Sequence, residues 1–180
     1  MKSPATHYFH PLARSLHWSM AVLIIAMLFI GVGMVASVSP HHAWLVALHK
    51  PLGIALLGLA MLRLIVRLTH STPPLPTDLP GWQKLAAKLS HYLLYVLMFA
   101  QPLVGWAMLS AGGYPIMLGS SLQLPPLLAQ NIQSYALLRP THTWLAYLFF
   151  ATILVHAAAG LFHGLIRRDG VFTSMTGSRH

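Results

Sequence analysis

Four stretches of this chain are too long and too apolar to belong to a water-soluble fold. They run from about Arg14 to Ser37, Trp44 to Leu68, Leu89 to Leu109 and Thr141 to Leu165. A helix that crosses a bilayer needs about 20 predominantly apolar residues, and each stretch meets that length. No strand-like alternation of apolar and polar residues competes with a helical reading. The composition agrees: 56% of the 180 residues are hydrophobic and only 7% are charged, where a soluble domain carries roughly a quarter charged. The expected fold is all-α, an integral membrane four-helix bundle, with residues 1–180 forming a single membrane domain.

The connections fit four helices. Ser39–His42 is a short polar break, and Thr69–Lys84 is rich in proline and cannot continue a helix. Ser110–Pro140 is long, contains several Gly and Pro, and is apolar for a loop, so part of it is expected on the membrane surface. Pro140, just before Thr141 and His142, is expected to open the fourth helix. The first stretch is not expected to be a cleaved leader. Its apolar run is too long, and a histidine, His17, stands in its basic front.

Charge sets the orientation. Eleven Lys and Arg face two acids, Asp78 and Asp169, for a net charge of +9. The cations cluster at the ends of apolar segments, which points to topology and anionic lipid headgroups rather than nucleic acid. Lys2, Arg14, Arg63, Arg67, Lys84, Lys88, Arg167, Arg168 and Arg179 fall on one side, and Lys50 and Arg139 on the other. The positive-inside rule then places both termini in the cytoplasm. The chain has no cysteine, which excludes disulfides, Cys-bound zinc, iron–sulfur clusters and covalent haem attachment through C-x-x-C-H.

Against this background the 12 histidines stand out, because ionisable residues inside membrane helices are costly and usually functional. His142 and His156 lie 14 residues apart in the fourth stretch. That is about 21 Å along the axis, on nearly one face, within roughly 40°. His163 continues the stripe. His49, in the outer part of the second helix, shares the level of His142. His17, at the inner end of the first, shares that of His156 with an offset of roughly 6 Å. Two levels of paired imidazoles suit two bis-histidine b haems inside a four-helix bundle. His91, near the inner start of the third helix, competes as a replacement for His17 or His156, or as a contact to a propionate or a quinone.

An iron with both axial positions filled by imidazole has no open site for oxygen or peroxide, so it moves electrons. Gly53, one turn after His49, would let a porphyrin approach the backbone, and Gly31, Gly33, Gly105 and Gly160 would act similarly. Arg14, Lys50, Arg63 and Arg67 sit near helix ends, where propionates need cations; Arg63 and Arg67 also suit simple anchoring at the interface. Solvent or headgroup contact is the expectation for His7, His10, His41, His42, His70 and His180. Packing or lipid contact is expected for Met20, Met27, Met34, Met61, Met98 and Met108.

The segments "SLHW", "ALHKPLG", "RLIVRLTHSTPPLP", "LSHYLLYVLMFAQPLVGW" and "THTWLAYLFFATILVHAAAGLFH" together resemble the bacterial cytochrome b561 family over nearly the whole chain. The cytochrome b subunits of formate dehydrogenase and nickel–iron hydrogenase look like more distant relatives. The resemblance implies two b haems, electron transfer, ubiquinone as a partner and an inner-membrane location. It implies pairing of His17 with His156 and of His49 with His142. Quinone or proton-transfer roles for His91 and His163 come from the same source, as does superoxide as a candidate outer-face electron donor. Two rivals remain: a membrane electron-transfer subunit of a larger dehydrogenase or hydrogenase, and a histidine-lined metal or proton transporter. Sites for hard or divalent ions usually recruit carboxylates, and neither acid falls in an apolar stretch.

Overall fold

The computed structural model describes residues 8–36, 40–119 and 121–177. Lys2, His7, Ser37, Ser39, Arg179 and His180 lie outside the described residues. Four long helices make up most of the molecule: α1 (Pro11–Ala36), α2 (His41–Thr69), α3 (Gly81–Ala111) and α4 (Ile132–Leu161). A two-stranded antiparallel hairpin, β1 (Met117–Leu118) with β2 (Leu122–Gln123), lies between α3 and α4. A π-helical turn over Phe162–Arg167 extends α4, and a short α5 (Thr173–Thr176) follows. All four long helices have the length and apolarity needed to cross a membrane. The main packing runs α1 against α2, α2 against α3 and α3 against α4.

All four helices start before their apolar stretches, α1 and α2 by about one turn and α3 and α4 by more. α3 begins at Gly81 rather than Leu89, because Pro80 starts it cleanly: Gln83 and Lys84 donate their backbone N–H to the Pro80 carbonyl at 3.0 and 3.2 Å. The added two turns carry Gln83, Lys84 and Lys88, so hydropathy alone does not mark them. α4 begins at Ile132 rather than Thr141. Asn131 caps it, accepting from the Ser134 N–H at 2.8 Å. Pro140 therefore lies inside α4 and does not open it. Its missing N–H leaves the carbonyl four residues back without the usual donor, while the Thr141 hydroxyl bonds the Leu137 carbonyl in the same turn at 2.8 Å. Pro51 in α2 and Pro102 in α3 are likewise interior. Membrane helices tolerate this because neighbouring helices and hydroxyl side chains satisfy the freed groups.

The long third connection is correspondingly shorter and folds back onto the bundle. The Trp106 indole donates to the Pro125 carbonyl at 3.1 Å, Ser110 Oγ accepts from Leu127 N at 3.0 Å, and Lys50 Nζ donates to the Pro115 carbonyl at 3.5 Å. Gly119, with φ of +70°, supplies the left-handed residue that the hairpin requires. At the opposite end the start of α1 and Phe9 ahead of it meet α5. Phe9 N donates to the Ser174 carbonyl at 3.1 Å, and the Trp18 indole to the Met175 carbonyl at 3.2 Å.

Few apolar side chains among the described residues are fully covered; Met20, Ala60 and Leu97 are among them. Val22, Phe29, Val35 and Ile166 are exposed, as lipid-facing side chains of a bundle are. In lipid this exposure costs nothing, since acyl chains are as apolar as leucine.

Candidate metal centres between the helices

α4 carries two histidines on one face, and each meets a partner from a different helix. At the end near the hairpin, His142 faces His49 of α2, with ring centroids 6.1 Å apart and planes at 76°. Toward the chain termini, His156 faces His17 of α1, at 6.2 Å and 68°. A metal–imidazole bond is about 2.0–2.1 Å. Adding roughly 1.15 Å from nitrogen to ring centre on each side gives a centroid separation of about 6.3 Å for two imidazoles on one metal. Both pairs match that separation. The offset of roughly 6 Å expected at the inner level does not survive as a gap between the rings.

His91 of α3 is exposed and lies 5.2 Å from His156 by ring centroids, closer than two axial imidazoles on one iron would sit. It adjoins the inner pair without matching the spacing of a second partner.

Polar atoms around the pairs bear on whether they suit haem. His49 Nδ1 and His142 Nδ1 are buried and have no hydrogen-bond partner among the described residues. Gln101 Nε2 donates to His142 Nε2 at 3.3 Å and to the His142 carbonyl at 3.1 Å. Gln101 was not among the residues expected from the sequence. The available signal was a lone amide in the third apolar stretch, next to Pro102. Arg63 Nη2 donates to His17 Nδ1 at 3.0 Å. A neutral imidazole bound to metal through Nε2 keeps its proton on Nδ1, so Arg63 and such a metal compete for His17. Arg63 Nε and Arg14 Nε are buried without a partner among the described residues, so this end holds cationic groups ready for a carboxylate such as a porphyrin propionate. Ring spacing and donor type fit a b haem at each level, with Arg14 and Arg63 adding cations at the terminal end; iron at His142 Nε2 would displace the Gln101 contact there.

Glycines border these rings, though not all as expected. A Cβ on Gly105 would sit 3.0 Å from His142 Cε1, and one on Gly31 would sit 3.9 Å from His49 Cε1. Gly53 instead faces Met27, whose Cε lies 3.4 Å from its would-be Cβ; Gly33 faces Leu45 and Gly160 faces Phe172. The three interior prolines cluster at the level of the His49–His142 pair: Pro51 follows His49 by two residues, Pro102 adjoins Gln101, and Pro140 precedes His142 by two.

The terminal end also holds a cavity of about 80 Å³ lined by Arg63, Arg67, His91, Tyr95, His10 and His70, with backbone and side chains of the α2–α3 connection. No acid lines it among the described residues. His10, which is exposed, and His70 contact each other with ring centroids 4.1 Å apart. His42, which is exposed, donates from Nδ1 to the Met34 carbonyl at 2.9 Å. Beyond the cavity, His163 Nδ1 lies 2.6 Å from Asp169 Oδ2, and Arg167 bridges Asp169 to Asp78. Burial by itself would raise the Asp169 carboxyl, but His163, the Val171 N–H and Arg167 hold it below the usual carboxylate value. No group of three or more His, Asp or Glu is arranged to hold a bare metal ion among the described residues.

Comparison with known proteins gives a consistent picture. The family model of prokaryotic cytochrome b561 matches residues 8–178. Cytochrome b561 homolog 2 of Escherichia coli (strain K12) is 29% identical over 170 residues, covering 92% of this chain and 89% of its own length. Cytochrome b561 homolog 1 of the same organism is 30% identical over 164 residues, covering 89% and 92%. The probable superoxide oxidase CybB of Yersinia pestis is 31% identical over 136 residues, covering 75% and 76%.

Proposed function

The chain belongs to the prokaryotic cytochrome b561 family, a family of bacterial membrane b-type cytochromes, and from that premise we propose that it holds two b haems and carries electrons from superoxide at its outer face to ubiquinone. His49 and His142 hold the outer haem, and His17 and His156 the inner one. The observation that carries this reading is the match of both centroid separations, 6.1 and 6.2 Å, to the spacing that one iron between two imidazoles needs. Bound there, each haem would supply one-electron redox chemistry.

The chain's own residues do the rest. The apolar walls of the bundle keep water from the space between the two levels. Lys50 and Arg139, with no acid on their side, draw an anionic one-electron donor toward the hairpin end. Arg63, Arg67 and Arg14 counter propionate charge at the terminal end. His91 and His163 serve the quinone and its protons. Two superoxide anions each give up one electron and leave as dioxygen. One quinone takes both electrons with two protons from the cytoplasmic side and leaves as quinol. The membrane is the bacterial inner membrane, with both termini in the cytoplasm. The similarity to a probable superoxide oxidase supports the choice of donor.

The test is a reduced-minus-oxidised visible spectrum of detergent-purified protein with a pyridine haemochrome count, followed by superoxide-driven quinol formation in liposomes. Two b haems per chain and quinol at half the rate of superoxide loss are expected. One haem, or superoxide loss without quinol, would overturn the corresponding half of the reading.

A further inference from the structure

The chain has two acidic residues, and both converge on one arginine at the terminal end of α4. Arg167 Nε donates to Asp169 Oδ2 at 2.7 Å, and Arg167 Nη2 donates to Asp78 Oδ2 at 2.5 Å. Asp169 is also held by His163 Nδ1 at 2.6 Å and by the Val171 N–H, through Oδ1, at 3.2 Å. Every carboxylate oxygen of Asp169 therefore has a donor, and its side chain is only 10% exposed.

The backbone is shaped to bring this about. α4 widens into the π-helical turn Phe162–Arg167, which ends at Arg168 with φ of 52°. Gly170 follows with φ of +85°. Two left-handed residues flank Asp169 and hook it back onto His163, six residues earlier. A residue other than glycine is strained in the left-handed region, and Arg168 adopts that conformation here. π-helical turns within helices recur at functional sites. A mere helix stop would need neither the strain nor the return of a buried acid to a histidine.

The contact fixes the chemistry of His163. An ionised carboxylate only accepts hydrogen bonds, so the proton of the neutral ring sits on Nδ1. Nε2 is then the nitrogen that exchanges protons. A second proton at Nε2 makes an imidazolium whose charge Asp169 balances, as a buried acid does for a histidine base in hydrolases. We propose that Asp169 is a positioning residue for proton delivery, holding His163 as the Nδ1–H tautomer so that Nε2 takes a proton from the aqueous side and passes it to reduced quinone. In that step the His163 Nε2–H bond breaks and a quinone O–H bond forms; the electrons come from the cytochrome. Asp78 and Arg167 tie the hook to the α2–α3 connection and set its position. This inference rests on the quinone reading above.

The test uses the haem-loaded protein in nanodiscs. Histidine labelled with ¹⁵N reports the tautomer, with the His163 signals assigned by their loss in His163→Gln. In the wild-type protein His163 should show a protonated Nδ1 and a bare Nε2, and Asp169→Ala should remove that preference. Quinone turnover in Asp169→Ala should fall about ten- to a hundredfold in kcat, with KM for quinone and the haem spectrum unchanged. Asp169→Glu should restore part of it. A wild-type His163 protonated on Nε2 alone would overturn the positioning role without recourse to any variant or to quinone. The expected tautomer with no quinone turnover in the wild-type protein would overturn proton delivery together with the quinone reading, leaving only the orientation of the ring. Turnover unchanged in Asp169→Ala, with wild-type turnover present, would overturn the proposal alone.

Discussion

Gly105 is the point where the proposed outer haem site has least room, and alanine there is a sharp perturbation. A Cβ at this position would lie 3.0 Å from His142 Cε1 and 3.3 Å from Nδ1, whereas carbon contacts settle at about 3.5–4.0 Å. The ring must therefore retreat by about 0.5–1 Å. It has little freedom to do so, because Gln101 Nε2 also holds the His142 carbonyl at 3.1 Å. Nor does the pair have slack: its centroid separation of 6.1 Å is already within about 0.2 Å of what a shared iron requires. Overpacking of this kind costs about 1–3 kcal/mol, which translates to a roughly 5- to 150-fold weaker hold on the outer haem. Gly31→Ala, with its contact at 3.9 Å, and Gly58→Ala, with nothing within 4 Å, serve as controls in the same kind of helix. Haem content by pyridine haemochrome and the two midpoint potentials by redox titration read the outcome. Gly105→Ala should shift or deplete one haem while both controls keep two at wild-type potentials. Two haems at unchanged potentials in Gly105→Ala would refute the reasoning, and so would equal losses in Gly58→Ala.

The ligand assignment predicts that His142→Ala and His17→Ala each lose one haem and keep the other, seen as half the haemochrome yield with different residual spectra; full haem content in both would discard the assignment. His91→Ala should keep two haems and slow quinone turnover, and loss of a haem would make it a ligand. Asp169 gives a pH dependence. Its carboxyl is held below its ordinary value by His163, Val171 and Arg167 against the opposing effect of burial. The stabilisation of the hook is therefore complete above about pH 4, the unfolded carboxylate value, and is lost as pH falls through the lower folded value. Amide exchange at Val171 should quicken on acidification below about pH 4 in the wild-type protein, and should be fast at all pH values in Asp169→Ala.

The architecture was legible because hydropathy and helical rise are both fixed by physics. Four apolar runs gave four helices, and a 14-residue interval gave two histidines on one face of α4 with their partners on α1 and α2. What hydropathy missed was helix outside the membrane. Gly81–Lys88 and Ile132–Pro140 are helical because of how they start, at Pro80 and at Asn131. Neither carries the apolarity that marks a span. Pro140 misled for a related reason: proline favours a first turn in water but is tolerated inside a membrane helix, where nearby hydroxyls and helices take over the freed groups.

The histidines differ in how far sequence could place them. His17, His49, His142 and His156 sit in regular helix, where residue number converts directly to depth and angle. His10 and His70 flank non-helical chain, so their contact depends on the path of two connections that no periodicity describes. The link between His163 and Asp169 is further still from periodicity. It depends on a π-helical turn that resets the register after Leu161, and on Arg168 in a conformation that arginine seldom adopts. Neither feature has a residue signature, and an acid six positions after a histidine falls on no common helical face. In regular helix Asp169 would point away from His163. The departure from regular geometry is what brings them together, and a sequence that needed only to end a helix would have had no reason to make it.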